Sequence, residues 1–295
     1  MLGKTVPSPR SHKVSIIVPT YNSSSTLKEC LESIRKQNYP TYEIIIIDNY
    51  STDSTVELAR KYGAKIIYHR GNAASAKNVG ITKSSGRYFF ILDSDQIVSR
   101  TLIAECVLIC SDIAVAAIDI PEVFIGKGFW SRCSADWKNL YFITSKNFVA
   151  STSTYGVSVH KDDEMGFEPR FFAKEQVKTN GFFNEKLVWG EDHDFHLRLR
   201  KLHLKEAWCI SRIYHFEPRT LAQILHKNFS YGKSMSRLQS MHRRIPWLAI
   251  KHTFYTIREG PRLIQRSIPS WIGIFILLGL RTLARAAGML AHHFK

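Results

Sequence analysis

Two aspartates one residue apart directly follow an apolar run. From Ile91 to Gln96 the chain is Ile-Leu-Asp-Ser-Asp-Gln, which puts Asp93 and Asp95 at the end of that run. Mg²⁺ and Mn²⁺ prefer carboxylate oxygens as ligands, and a diphosphate is a poor leaving group until a cation offsets its charge. The pair could therefore hold a divalent cation against a diphosphate. Paired acids are also common in exposed turns, so the motif alone leaves both interpretations open.

The segments before this motif alternate between apolar stretches and helical patterns. Continuous apolar residues predict strands near 14–19, 43–48, 64–68 and 88–92, and helices are predicted between them at about 26–37, 52–62 and 73–84. Strands that are apolar throughout are typical of parallel sheets covered on both faces, and this alternation predicts right-handed crossovers. We therefore predict an α/β fold with a mostly parallel central sheet.

Polar residues stand where the predicted strands end. Asn22, Asp48, Arg70 and the pair Asp93 and Asp95 all follow an apolar stretch. In open parallel sheets, ligands bind at the carboxyl ends of the strands. This convergence favours a functional site over a set of unrelated turn residues.

Several motifs, in this order and spacing, resemble the large inverting glycosyltransferase family 2. They are Pro19-Thr-Tyr-Asn22, the turn from Asp48 to Asp53, Ala76-Lys-Asn-Val-Gly80, Asp93-Ser-Asp95 and Trp189-Gly-Glu-Asp-His-Asp194, the last preceded by Asn180-Gly-Phe-Phe-Asn-Glu185. The resemblance implies a GT-A fold, a nucleotide-sugar-binding α/β sandwich, over residues 13–217, with a donor-binding half at 13–100 and an acceptor half at 101–217. The chain departs from the family at Asn49-Tyr50, where Asp-Gly is frequent, and at Lys77, where Arg is usual.

The resemblance implies a donor site for a UDP- or GDP-sugar. Its expected contacts are Pro19, Tyr21, Asn22, Asp48, Arg70, Lys77 and Asp93. A carboxylate at Asp48 suits the imino N–H of uracil or guanine, although a turn acid is the alternative. Arg70 and Lys77 would offset diphosphate charge, unless they are solvated surface cations.

The resemblance also implies a cation, Mn²⁺ or Mg²⁺, held by Asp95 and Asp93, with His215 completing the site. His215 follows a strand predicted at 207–213, and the alternative for it is an ordinary core or surface histidine. For inversion, one carboxylate must take the proton of the attacking hydroxyl. The family has its base at the Asp of Glu-Asp, so Asp192 is the expected base and Glu191 its orienter or an acceptor contact. Acids at a helix N-terminus also satisfy capping and dipole preferences, and this alternative stays open.

Residues between the two acidic motifs are expected to select the acceptor. Trp130, Arg170 and Trp189 are the candidates, with Arg170 able to hold a phosphate of either substrate. Aromatic residues at helical spacing are more often core, and a surface charge is the alternative for Arg170.

The basic excess is confined to the last third of the chain. Residues 1–195 hold 23 lysines and arginines against 22 acids, whereas residues 196–295 hold 18 against 3. Such a field favours anionic partners. Apolar residues accompany it: an amphipathic helix is predicted at 246–258, and 267–280 has no charge. Beyond that stretch, Arg281 and Arg285 share one helix face while Leu283, Ala287, Leu290 and Phe294 share another.

These helices predict membrane association. Fourteen uncharged residues span roughly 21 Å, short of a bilayer core of about 30 Å. Basic amphipathic helices lie in the interface, held by apolar burial and anionic lipid. Docking of the apolar faces onto the catalytic domain, or a span at 271–291, remain alternatives. Nucleic acid is not an expected partner, because no zinc-finger spacing or aromatic RNA-binding signature accompanies the charge.

Together, these features predict a metal-dependent inverting glycosyltransferase with a lipid-linked acceptor, such as a polyprenyl-linked saccharide. Residues 1–12 are expected to be a flexible lead-in, and 218–295 a basic membrane-associating helical region. Because residues 1–13 lack the apolar core of a signal peptide, the catalytic domain is expected on the cytoplasmic face of the membrane. A sugar nucleotidyltransferase and a non-catalytic membrane- or nucleic-acid-binding module are the alternatives; the former should have a Gly-rich loop after the first strand, and Pro19-Thr-Tyr-Asn22 offers none.

Overall fold

The computed structural model describes residues 12–143, 156–157, 169–241, 253–254, 256–260 and 267–293. Runs of β-branched and aromatic residues form the centre of its sheet. The first half contains β1 Val14–Thr20, α1 Ser24–Arg35, β2 Tyr42–Asp48, α2 Thr55–Lys61, β3 Lys65–Tyr68, α3 Ala73–Lys83, β4 Tyr88–Ile91, β5 Gln96–Val98, α4 Leu102–Ile113, β6 Ala117–Asp119, β7 Glu122–Ile125 and α5 Phe129–Ile143. The second half contains β8 Gly156–Val157, β9 Pro169–Ala173, α6 Lys174–Val177, a 3₁₀ turn Lys178–Asn180, α7 Glu191–Lys201, β10 Glu206–Trp208, β11 Ile213–Phe216, α8 Leu221–Met241 and α9 Ile268–His293.

An eight-stranded sheet carries the fold, in the order β3-β2-β1-β4-β9-β6-β10-β8. The strands β1 to β4 pair in parallel, and β9 is antiparallel to both β4 and β6. A smaller sheet, β5-β11-β7, stands apart from it. The predicted α/β architecture with a mostly parallel sheet is confirmed.

Alternate side chains of the central strands pack into two separate hydrophobic cores. Ile16 and Val18 of β1 join a cluster with Leu27 and Leu31 of α1, whereas Ile17 joins a cluster on the opposite face of the sheet. All five side chains are fully buried. A sheet covered on both faces explains why its strands have no polar alternation.

One predicted strand is wrong. The apolar stretch 207–213 predicts a single strand before His215, but the chain forms β10 in the large sheet and β11 in the small one. Between them, the carboxylate of Glu105 accepts hydrogen bonds from the backbone N–H groups of Ile210 and Ser211, at 2.6 and 3.0 Å. The backbone groups there are satisfied by a side chain instead of a ladder, so the strand breaks and His215 lies within β11.

The helices α8 and α9 pack against each other and against α5. Ile274 and Leu277 of α9 are buried with Trp137 of α5 and Ile224 of α8. Gly232 and Gly288 allow the close approach, since a Cβ added at Gly232 would lie 2.1 Å from the carbonyl oxygen of Arg285. The helix predicted at 246–258 falls mostly outside the described residues, within which 256–260 are helical.

The two faces of α9 differ sharply. Arg281 is buried and Arg285 is half-buried, both on the inner side of the helix, so they share one face as predicted. The outer side exposes large apolar residues: Ile268, Ile272, Phe275, Ile276, Leu283 and Leu290. By length and composition, 268–291 is apolar enough to cross a membrane, with a mean hydropathy of 1.6. Both arginines are turned inward in this structure and line the cleft, so the basic side chains of α9 do not share its exposed apolar side.

Candidate active site

A cleft of about 710 Å³ lies at the carboxyl ends of β1 and β4. Its walls come from the sheet, from the start of α7, and from the inner sides of α5, α8 and α9. Among the lining residues are ten of the predicted site residues: Pro19, Tyr21, Lys77, Asp93, Asp95, Arg170, Trp189, Glu191, Asp192 and His215. The fold therefore brings most of the sequence-predicted groups into one space.

Asp93, Asp95 and His215 form a cluster whose ligand atoms all lie within 4.8 Å of one another. The turn after β4 holds the two aspartates, and the Asp93 N–H donates to Oε1 of Gln96 at 2.9 Å. The Asp95 carbonyl accepts from the N–H of Phe216 at 3.0 Å, which ties the turn to β11. Pairing of β11 with β5 thus delivers the histidine to the aspartates.

The donor set of this cluster fits a divalent cation. Nδ1 of His215 donates to Oε2 of Glu122 at 3.0 Å, and Nε2 lies 3.4 Å from Oδ1 of Asp95. A carboxylate that fixes one ring nitrogen and leaves the other toward acidic ligands is typical of metal-binding histidines. Two carboxylates and an imidazole suit Mn²⁺ well, whereas Mg²⁺ favours oxygen ligands alone.

The pKa of His215 reflects this acidic setting. Burial on its own lowers the pKa of the imidazole, but the carboxylates of Asp95 and Glu122 outweigh it and raise the pKa to about 9. Without a cation the imidazole is therefore protonated at neutral pH. The cluster attracts positive charge in either form.

Arg170 of β9 joins the cation cluster to a second buried acid. Its Nε lies 2.5 Å from Oε1 of Glu122, and its Nη1 lies 3.2 Å from Oδ2 of Asp93. Burial opposes ionisation of Glu122, yet Arg170 and then His215 hold its pKa down at about 2. Arg170 therefore lies beside the cation cluster, and it organises the acids there.

Lys77 of α3 holds the two acids at the start of α7. Its Nζ lies 2.8 Å from Oε1 of Glu191 and 2.5 Å from Oδ1 of Asp192, and only 2% of its side chain is exposed. Burial would lower the pKa of Lys77, but Asp192 and Glu191 raise it above its ordinary value. The expected partner of Lys77 was a diphosphate; in the structure its direct partners are the acids of the predicted catalytic pair.

Three predicted donor residues are not among those lining the cleft in the described chain. Asp48 is fully buried and accepts hydrogen bonds from the hydroxyls of Thr20 and Ser51. Asn22 is exposed and accepts from the N–H of Thr52. These contacts shape the turns after β1 and β2, which corresponds to the turn interpretation of Asp48.

Arg70 is also turned away from the cleft. Its exposed guanidinium lies 4.9 Å from the ring centroid of Tyr50, which contacts Tyr68 at 5.4 Å. The structure therefore gives it an aromatic contact on the surface, and the surface interpretation of Arg70 describes this geometry.

Trp130 does not line the cleft within the described residues either. It packs against the cluster of Cys133 and Ile274, in edge contact with Phe129. In the structure Trp130 therefore packs between α5 and α9, and its contact with an acceptor stays a prediction. Trp189 lies in the cleft wall and stacks on Tyr231 of α8 at 4.9 Å.

Sequence reasoning missed a further group of cleft residues. They are Glu122, Lys138, Lys227, Tyr231, and, as inward-facing groups, Arg281 and Arg285. None stands in a motif that resembles the family. The one signal was the basic excess after residue 195, which did not indicate whether those charges face the cleft or the solvent.

Comparison with known proteins agrees with this arrangement. Residues 15–160 match the family model described as glycosyl transferase family 2. The chain belongs to this family. The glycosyltransferase GlyG of Streptococcus pneumoniae is 39% identical over 100 residues, which are 32% of this chain and 33% of GlyG. The glycosyltransferase GlyA of the same organism is 26% identical over 224 residues, 66% of this chain and 32% of GlyA. The chain thus spans about a third of the length of these curated relatives.

Solved structures share the fold over nearly the whole family 2 chain. S. aureus TarS 1–349 in complex with UDP aligns with a TM-score of 0.56 at 19% identity, covering 95% of this chain and 89% of that one. The mannosyltransferase PcManGT from Pyrobaculum calidifontis, in complex with GDP-Man and Mn²⁺, aligns with a TM-score of 0.56 at 18% identity, covering 98% and 90%. At such identities the likeness shows the GT-A fold alone.

Proposed function

We propose that this family 2 protein transfers a sugar, with inversion, from a UDP- or GDP-sugar to a hydroxyl of a membrane-borne acceptor. The observation that carries the proposal is that a cation cluster, Asp93 with Asp95 and His215, shares one cleft with an ion-paired acid pair, Glu191 and Asp192. Transfer from a nucleoside diphosphate sugar needs both: charge compensation at the diphosphate, and a base for the attacking hydroxyl.

Asp192 is the proposed base. Its carboxylate lines the cleft, with 24% of the side chain exposed, so an acceptor hydroxyl can reach it. Nζ of Lys77 lies 2.5 Å from Oδ1 of this carboxylate and holds that oxygen in place. Glu191 is more buried and shares the same lysine, which suits an orienting role.

A divalent cation bound by Asp93, Asp95 and His215 would supply charge compensation to the departing diphosphate. Glu122 orients the imidazole, and Arg170 holds both Glu122 and Asp93 in place. The two structural neighbours described above were solved with UDP, or with GDP-Man and Mn²⁺, and these are the donors and the ion to try first.

The outer side of α9 is the surface that we propose contacts the membrane. Leu283 and Leu290 are 68% and 60% exposed on the side away from the cleft. Exposed apolar side chains aligned on one helix face suit burial at a bilayer interface. We therefore propose that residues 13–217 form the catalytic domain, and that 218–295 hold it on the cytoplasmic face with a polyprenyl-linked saccharide as acceptor.

The first test is nucleotide release by the full-length chain with Mn²⁺, using UDP- and GDP-sugars with and without a membrane lipid extract. The proposal expects lipid-stimulated release from one donor and its loss in EDTA. Release that ignores the lipid extract would contradict the membrane-borne acceptor. Absence of release from every donor would contradict the transferase assignment.

The membrane contact is tested separately by flotation with phospholipid vesicles. The double variant Leu283→Ser and Leu290→Ser should bind vesicles at least ten-fold more weakly, since both side chains lose apolar surface that the membrane would bury. Its Tm should change little, because both positions are exposed. Wild-type binding in the double variant would contradict a membrane contact through this side of α9.

A further inference from the structure

The wall of the cleft made by α8 and α9 is rich in cations that lack direct acidic partners among the described residues. Arg281 and Arg285 of α9 and Lys227 of α8 all line it. Glu217, an acid whose charge acts on Arg281, is bound by Nζ of Lys138 and by the hydroxyl of Ser134, each at 2.5 Å. The arginines therefore have no direct carboxylate contact in the described chain, in contrast to Lys77 and Arg170.

The two arginines share one neutral acceptor. Oδ1 of Asn228 accepts from Nε of Arg281 at 3.3 Å and from Nε of Arg285 at 2.9 Å. Nη1 of Arg281 is buried and has no hydrogen-bond partner among the described residues. A buried cation left with unused donors is costly, and this cost is removed when an anion accepts from it.

The electrostatics of this wall favour the binding of an anion. Burial, followed by repulsion from Arg281, lowers the pKa of Arg285 to about 10. The guanidinium is still charged at neutral pH, so two like charges remain side by side. Their spacing of four residues on a helix presents two planar forks to the same point, the geometry that suits phosphate oxygens.

The location of this wall identifies which substrate it serves. The guanidinium carbon of Arg285 lies 6.0 Å from the ring of Trp189, and Trp189 stands three residues before Asp192. The wall thus adjoins the acid pair that faces the acceptor in the proposed function. The same helix that carries the arginines inward carries apolar residues outward, across a helix diameter of roughly 10 Å.

We propose that Arg281 and Arg285, positioned by Asn228, form a subsite for the phosphate or diphosphate group of a lipid-linked acceptor. An amphiphile with an anionic group beside an apolar chain matches a helix that is cationic toward the cleft and apolar toward the outside. This subsite rests on the proposed function for its role, but binding to it does not require turnover.

The test measures binding of farnesyl diphosphate, with farnesol as the uncharged counterpart, to the full-length chain in detergent micelles by calorimetry. EDTA is present, so that the cation cluster cannot contribute through a metal. The variants are Arg285→Gln, Arg285→Lys and, as a matched control, Arg258→Gln, which removes the same charge from a side chain that is 72% exposed. Binding of UDP and GDP with Mn²⁺ is measured on the same proteins.

The proposal expects wild-type protein to bind farnesyl diphosphate at least ten-fold more tightly than farnesol. Arg285→Gln should lose at least ten-fold in affinity for the diphosphate, Arg285→Lys should keep part of it, and Arg258→Gln should match wild type. Nucleotide binding should stay within two-fold in all variants. Inorganic pyrophosphate should compete with farnesyl diphosphate in wild-type protein, a measurement that needs no variant to fold.

Two results would overturn the subsite. Equal binding of farnesol and farnesyl diphosphate, with no competition by pyrophosphate, would show that the diphosphate group does not contribute to binding. A loss of nucleotide binding in Arg285→Gln, with farnesyl diphosphate unaffected, would assign the arginines to the donor. If every sugar donor fails in the release assay while diphosphate binding follows the pattern above, the proposed function fails and the anion site stands.

Discussion

The part of the cleft formed by residues 13–217 and the part formed by the C-terminal helices carry charge in different ways. In the first part, the buried cations Arg170 and Lys77 each lie within ion-pair distance of two carboxylates. On α9, Arg281 and Arg285 share a neutral amide. Matched charges hold a site in shape, whereas unmatched ones favour a ligand that brings the missing charge. The first region is thus organised before its substrate arrives, and the second is completed by it.

The largest expected effect comes from the matched side. Asp192→Asn keeps the size of the side chain but removes its basicity, so turnover should fall by about 10² to 10⁴-fold. Binding of nucleotide with Mn²⁺ should stay within two-fold, because the cation cluster is intact. Steady-state kinetics and calorimetry check both. Glu175→Gln, an acid 79% exposed beside Lys178, is the control and should turn over like wild type.

Removing the cation shared by Glu122 and Asp93 tests whether these acids need a positive partner. Arg170→Gln leaves Glu122 and Asp93 without their common partner, and the free energy of unfolding should fall by about 3–5 kcal/mol. Chemical denaturation measures it. Arg170→Lys should recover part of the loss. A variant as stable as wild type would mean that the two acids need no compensation, which removes the contrast with α9.

The α8–α9 crossing is tested by a pair of glycines. Gly232→Ala would bring a methyl group 2.1 Å from the carbonyl oxygen of Arg285, so the helices must separate, at a cost of about 1–3 kcal/mol. Gly279→Ala meets nothing within 4 Å and should raise stability by about 0.5–1 kcal/mol, because alanine favours the helix. Thermal unfolding of the two variants should therefore move Tm in opposite directions. A shared direction would contradict the close packing of α9.

The smallest effect concerns a matched acid far from the cleft. Burial opposes ionisation of Glu43, but hydrogen bonds from Ser15 and Ser85, and Lys13, lower its pKa to about 2 from an ordinary value of 4.5. Its stabilising contribution, about 1–2 kcal/mol, is thus present above pH 4.5 and lost as the pH falls toward 2. Glu43→Gln should flatten the stability profile over that window, as followed by denaturant midpoints at several pH values.

Prediction from sequence succeeded for features that follow from the hydrophobic pattern and from the position of polar residues at the ends of strands. Apolar runs ending in polar residues predicted the strands and placed Asp93 and Asp95 at one edge of the sheet, because parallel strands share their carboxyl ends. It failed where contacts between residues distant in sequence determine the local structure. Glu105 breaks the strand expected at 207–213, and Asp48 turns its carboxylate to Thr20 and Ser51. Glu105 and Thr20 are both distant in sequence from the segments that they contact, and only Ser51 is local to the turn of Asp48.

The C-terminal region shows a different limit. Helical spacing correctly grouped Arg281 with Arg285 on one face and Leu283 with Leu290 on another. Spacing cannot say which face meets the protein, because that depends on the crossing with α8. The close contact at Gly232 and Gly288 fixes this crossing and turns the charged face inward. The apolar face, the more usual one to bury, is left outside.

Lys77 has a consequence for how charge moves during the proposed transfer. With Glu191 and Asp192 it forms a triad that carries one net negative charge. When the acceptor oxygen bonds to the anomeric carbon, its proton passes to Asp192 and the triad becomes neutral. In the same step the bond from sugar to diphosphate breaks, and the nucleoside diphosphate leaves with that electron pair and one more negative charge. The total charge of the cleft is therefore conserved, and solvent ions outside it need not rearrange while the sugar is transferred.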